Sequence, residues 1–273
     1  MKRIIYVLGV LLFLSVSLNV IYELKTHKFE KKIHKMVCRN DNAPSENVLA
    51  TFNNNPLRAY DGVYEHGSDS TISIVFLGNS ITRHSVWEQK GDQRARGMAA
   101  TSLEQDFVHL LIELMANSYN VNVKYSIAGI ANLERGYTTF DFNIDSCFQL
   151  LGTIEPDILI LQMGENVAWI NEEENADKFK KLYSKIFEYY PNSHKYVSLP
   201  FWLRSDENYL ITEVATNYGA IVVDLSHLGA DADKNFASSQ KHYEHAGIGM
   251  HPGDEGMLNI ANCFFSAIRA TIQ

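Results

Sequence analysis

Three short strand-like runs of this chain each end at or beside a glycine: residues 72–77 at Gly78, 121–127 just before Gly129, and 157–163 at Gly164. Helical patterns fill the intervals. Residues 102–118 carry Leu103, Phe107, Leu110, Leu111, Leu114 and Met115 at helical spacing, and Ser102 with Gln105 forms a candidate capping box. A helix is also predicted over 140–151. Residues 172–190 open with three glutamates, favourable at a helix N-terminus, and then line up Ala176, Phe179, Leu182, Ile186 and Phe187. Two more strands, 195–199 and 220–224, flank a helix near 206–218, and 255–271 closes the chain as a helix. Strand–helix alternation of this kind predicts an α/β fold with a parallel sheet covered on both faces. Ligands of such sheets bind beyond the carboxyl ends of the strands.

Composition sets the remaining limits. A hydrophobic share of 46% and a charged share of 21% are ordinary for a globular chain of 273 residues. The net charge of −8 argues against a general nucleic-acid binder. Three cysteines, Cys38, Cys147 and Cys263, give no disulfide framework, and the last two sit in apolar helical patterns as core residues. Residues 4–22 are almost unbrokenly apolar after Lys2 and Arg3, which predicts a transmembrane signal anchor over 1–22. Lys2 and Arg3 favour an inside N-terminus and an exported, extracytoplasmic domain, although Lys25, Lys28, Lys31, Lys32 and Lys35 pull the other way. A stalk and linker then occupy 23–55, rich in charge and later in Asn, and the globular domain spans 56–273.

The strand ends carry a consistent chemistry. Ser80 follows Gly78-Asn79 in a turn and is the candidate nucleophile, which needs a neighbouring base to take its proton. His251, set on a rigid loop by Pro252 just before the last helix, is the candidate base. The N–H groups of Ser80 and Gly129 and the side-chain amide of Asn166 are candidate oxyanion donors. No metal is expected: His242-x-x-His245 lacks a third ligand at convincing spacing, and Asp231-x-Asp233-x-Asn235 lacks the glycine and terminal glutamate of a calcium loop. Trp87, Trp169 and Trp202 lie on strand-end loops, where aromatic rings suit sugars or local packing.

Together these segments resemble the SGNH (GDSL-like) hydrolase family. The resemblance rests on Phe76-Leu77-Gly78-Asn79-Ser80-Ile81-Thr82, Ala128-Gly129-Ile130, Gly164-Glu165-Asn166-Val167 and His251-Pro252-Gly253-Asp254-Glu255-Gly256-Met257. It implies a three-layer α/β/α sandwich with a flavodoxin-like sheet of five parallel strands, and an esterase that needs neither metal nor cofactor. The implied substrate is an O-acylated, most typically acetylated, carbohydrate or another small ester. Transfer of the acyl group to an envelope polysaccharide, or glycan binding without catalysis, are the alternatives. This chain departs from the family pattern in having Asn79 where many members have Asp. It also has Ile248 where an Asp usually precedes the histidine by three residues. Three substitutes for that acid are open: a backbone carbonyl near 247–249, the Glu244 carboxylate, or no partner. Asp254 is expected to cap the last helix.

Overall fold

The structure is a computed structural model describing residues 59–84, 96–139, 155–168, 170 and 172–272. The expected anchor, stalk and linker, the 140–151 helix, Cys38, Cys147, Trp87 and Trp169 lie outside the described residues. Among the described residues no helix is long and apolar enough to cross a membrane.

One mixed sheet organises the domain. Its six strands are β1 (Ala59–Tyr64), β2 (Thr71–Gly78), β3 (Asn122–Gly129), β4 (Ile158–Gln162), β5 (His194–Ser198) and β6 (Ile221–Val223), in the order β1-β3-β2-β4-β5-β6. Strands β2 to β6 are parallel, as the alternation predicts, but β1 runs antiparallel on the outer edge of β3. The expectation of five parallel strands is therefore corrected to a six-stranded mixed sheet. Strand β1 escaped the sequence pattern because Asp61 and Gly62 interrupt it and Val63 is exposed. The Asp61 carboxylate is used within the sheet, accepting a hydrogen bond from the Ser126 hydroxyl on β3.

Two helical layers cover the sheet. On one face α1 (Phe107–Tyr119) packs beside the closing helix α8 (Asp254–Thr271). On the other, α3 (Glu173–Tyr189) packs beside α4 (Ser205–Asn217). Strand alternation divides the core accordingly. Val75, Leu77, Leu159 and Leu161 join the α3–α4 side with Phe179, Leu182, Ile186 and Ile211. Phe76 faces the other layer, where Phe107 stands edge-on to it at 6.4 Å and stacks on Phe264 at 5.9 Å.

The sheet has its topological switch point at β2. The chain passes from β2 to β3 on one side and then returns to β4 on the other. The carboxyl ends of β2, β3 and β4 therefore lie side by side, and it is beyond such strand ends that these sheets receive ligands, in a crevice at the switch point.

Local signals were partly overruled. The Ser102–Gln105 capping box does not form; residues Leu103–Gln105 make a separate 3-10 turn. Helix α1 is instead capped by the buried Asp106, whose carboxylate accepts the His109 N–H at 2.8 Å. Asp254 is the first helical residue of α8 and not its cap, and its carboxylate accepts from the Thr101 N–H and hydroxyl at 2.9 and 2.6 Å.

Phe107 is fully buried between Phe76 and Phe264. Phe107→Ala is expected to cost about 3–5 kcal/mol of unfolding free energy, measured by urea denaturation.

Candidate active site

The turn after β2 is held by its own hydrogen bonds and by the end of β4. The Asn79 N–H donates to the Gln162 carbonyl at 3.2 Å, and the Asn79 side-chain oxygen accepts the Ile81 N–H at 3.1 Å. The Thr82 hydroxyl donates to the Gln162 side-chain oxygen at 2.9 Å, tying this turn to the end of β4. Gly78 is required by this crowding: a Cβ there would lie 1.9 Å from Thr82 Oγ1 and 2.8 Å from the Gln162 carbonyl oxygen.

Ser80 leaves this turn with its Oγ 2.8 Å from His251 Nε2. The two residues are 171 positions apart in sequence, and the fold brings them into direct contact. His251 is positioned from both sides. Its carbonyl accepts the Ala237 N–H at 2.8 Å, and its own N–H donates to the Ile248 carbonyl at 3.0 Å. The short helix Ala246–Gly249 just before it turns the Gly247 carbonyl toward the ring, 2.7 Å from Nδ1. A carbonyl can only accept, so Nδ1 carries the hydrogen and Nε2 is left with a lone pair facing the Ser80 hydroxyl. Of the three substitutes for the missing acid, this is the backbone carbonyl; Glu244 is exposed.

The histidine ring is packed against an aromatic side chain. Trp202 stands edge-on to the ring at 5.3 Å, and both residues are buried. Desolvation by burial, opposed by the Gly247 bond and aided by His84 and His245, lowers the His251 pKa from 6.5 to about 4. At neutral pH the imidazole is therefore uncharged.

The remaining candidates lie at the ends of the neighbouring strands β3 and β4. Gly129 pairs in register with Gly78 on the neighbouring strand, two residues before Ser80. Asn166 lies beyond β4, with its side-chain oxygen 3.4 Å from Arg135 Nη2 and its Nδ2 donating to Glu134 at 2.8 Å.

Two carboxylates beneath the crevice were not singled out by the sequence. Glu134 lies on α2 (Ala131–Gly136), the short helix that follows Gly129 and Ile130, and it is fully buried. It accepts from the Gly164 N–H, from Asn166 Nδ2 and, at 3.3 Å, from Asn79 Nδ2. Glu165, also buried, accepts from Asn79 Nδ2 at 2.5 Å, and from Gln162 Nε2 and the Phe201 N–H at 2.9 Å each. Asn79 thus bridges the two acids through one amide nitrogen, which explains an Asn at a position where an Asp would add a third buried anion. Desolvation first, and the neighbouring Glu134 charge second, push the Glu165 pKa from 4.5 up to about 7. Desolvation also raises Glu134. Their signal in the sequence was only their position, inside or just after the strand-end blocks. Among the described residues, no group of three or more His, Cys, Asp or Glu side chains is arranged to hold a metal.

Neither a family model nor a curated protein matches the chain. Among solved structures it is similar to a family 3 carbohydrate esterase from Clostridium thermocellum, at 19% identity and a TM-score of 0.51, over 74% of this chain and 96% of that one. A lipase/acylhydrolase from Enterococcus faecalis aligns at 14% identity and TM-score 0.48, over 74% and 97% of the two chains. An acetyl xylan esterase aligns at 18% and 0.47, over 72% and 100%. At such identities the likeness to the first of these is one of fold, and it extends over nearly the whole of that esterase.

A raised Glu165 pKa sets a sign for stability. The stabilising contribution of the protonated group is complete below about pH 4.5 and is lost as pH rises through about 7. The stability of the wild type relative to Glu165→Gln is therefore expected to be greater at pH 5 than at pH 8, measured by urea unfolding at both.

Proposed function

We propose that this chain is a serine esterase that removes acyl groups, acetyl foremost, from a carbohydrate or other small ester through an acyl-enzyme. The observation that carries the reading is the 2.8 Å contact between Ser80 Oγ and His251 Nε2, with Nδ1 anchored on the Gly247 carbonyl. In the first step Ser80 Oγ bonds to the ester carbonyl carbon as its proton passes to Nε2. The carbonyl oxygen, now an anion, is held by the Ser80 and Gly129 N–H groups and by Asn166 Nδ2. Collapse of this adduct breaks the carbon–oxygen bond to the alcohol, which leaves with the proton from Nε2. Water then attacks the acyl-Ser80, giving its proton to Nε2, and the second collapse releases the carboxylic acid and restores Ser80.

A carbonyl partner stabilises imidazolium less than a carboxylate does, and burial lowers the His251 pKa further. The compensating charge is the oxyanion itself, which forms beside the ring as the ring gains its proton. The Gly247 carbonyl also supplies the orienting partner whose lack motivated a non-catalytic reading, and so supports the catalytic one. The carbohydrate assignment draws on the fold shared with a carbohydrate esterase; Trp202, buried against Phe201 and His251, is local packing. The apolar run over 4–22 supports an extracytoplasmic, membrane-anchored setting in which surface polysaccharides are within reach.

Ser80→Ala and His251→Ala are each expected to lower kcat on p-nitrophenyl acetate by at least about 10³-fold while leaving the fold intact. Wild-type protein without turnover on this ester or on acetylated oligosaccharides would overturn the reading. Catalysis requires neutral His251, so the acid limb of kcat/KM is expected to fall with an apparent pKa near 4, well below 6.5. A limb at 6.5 or above would mean that the ring is solvated in the working protein.

A further inference from the structure

Of the two buried carboxylates, Glu134 is the one whose partners reach the oxyanion side of the site. Its three hydrogen bonds come from the Gly164 N–H, Asn166 Nδ2 and Asn79 Nδ2. Two of these donors flank Glu165 in the loop after β4, and the third belongs to the turn that carries Ser80. The Nδ1 of His251 is already bonded to the Gly247 carbonyl, so Glu134 is not a displaced third member of a catalytic triad.

The chemistry of an amide group makes the Asn166 bond directional. Nδ2 carries two hydrogens in one plane, and one of them is committed to the Glu134 carboxylate at 2.8 Å. The other is then fixed in direction. Flipping the amide would set Asn166 Oδ1 against the Glu134 carboxylate, and would move Nδ2 toward Arg135, which now approaches Oδ1 at 3.4 Å. The loop backbone is fixed by the same acid. Gly164 has φ +127°, a conformation that L side chains rarely adopt, and its N–H ends on Glu134. A carboxylate is suited to this task because it is acceptor-only. A glutamine in its place would turn one N–H₂ toward a neighbouring donor.

We propose that Glu134 is a positioning residue of the esterase reaction: it locks the Asn166 amide in the one orientation that leaves its second N–H for the oxyanion. This rests on the esterase reading given above. In the Glu134→Gln variant the new amide nitrogen faces Asn166, and the Asn166 side chain flips to offer Oδ1 to it. The oxyanion donor is thereby withdrawn while the loop stays paired.

The test is a double-mutant cycle on p-nitrophenyl acetate with Glu134→Gln, Asn166→Ala and the double variant. Loss of one oxyanion donor typically costs about 10²–10³ in rate. Glu134→Gln is expected to lose kcat in that range with KM changed less than about threefold. The double variant is expected to be no slower than Asn166→Ala alone, because Glu134 acts through Asn166. Multiplying losses, or a loss confined to KM, would overturn the proposal. A second measurement needs no turnover: the Asn166 side-chain amide in ¹H–¹⁵N spectra of uniformly labelled protein. One of its two protons is expected to be shifted downfield and slow to exchange in the wild type, and to move in Glu134→Gln but not in Ser80→Ala. Two protons at the shifts of a free, solvated amide, both exchanging fast in the wild type, would sink the proposal even if the Glu134 variant failed to fold. If wild-type protein has no esterase activity, the esterase reading falls by itself and these spectra alone decide whether Glu134 fixes the amide.

Discussion

Two buried carboxylates beneath a serine turn are the constraint on which the site depends. Removing a carboxylate from water costs several kcal/mol unless hydrogen bonds replace the lost hydration. Glu134 and Glu165 meet that demand by drawing donors from the turn after β2, the end of β4, the loop after β4 and the loop after β5. The donors cannot leave without stranding an anion or a proton-bearing acid. Burial of charge therefore becomes a fastening that joins the ends of β2, β4 and β5 to α2 around one crevice.

Asn79 is the key to that fastening. Its Nδ2 serves both acids, its Oδ1 takes the Ile81 N–H, and its backbone N–H holds the Gln162 carbonyl. Every polar group of the side chain has a partner, and the residue that follows is Ser80. Apart from its contacts with Ser80 and the Trp202 ring, His251 is held by backbone, between Ala237, Ile248 and Gly247. Ser80, the proposed nucleophile, rests on a network of side chains, whereas His251, the proposed base, rests mainly on peptide groups. This difference explains how the chain dispenses with an acid before the histidine: the peptide carbonyl that orients the ring cannot titrate.

Much of this was legible in the sequence because the signals were local. Apolar runs, three of them ending at or beside glycines, marked the parallel strands, helical stripes marked α1 and α3, and strand order placed Ser80, Gly129 and Asn166 at neighbouring strand ends. The contact between Ser80 and His251 followed from motif order. What was illegible depended on long-range partners. Strand β1 has a pattern too broken to read until β3 offers it an edge. The Ser102–Gln105 pair looked like a cap, yet Asp106 won because it is buried against the helix start. Glu134 and Glu165 were not singled out, since burial of a carboxylate is set by neighbours far away in sequence. The Gly247 carbonyl carried no side-chain signal, so the sequence offered it only as one of three open substitutes.

The central claim is that Ser80 is an activated nucleophile and not a bystander in a tight turn. It is tested most directly by treating the folded protein with a fluorophosphonate ester and mapping the adduct by peptide mass spectrometry. The account predicts a single covalent adduct on Ser80, formed at a rate that collapses in His251→Ala. An unlabelled Ser80 in folded protein, or labelling that persists unchanged without His251, would contradict it.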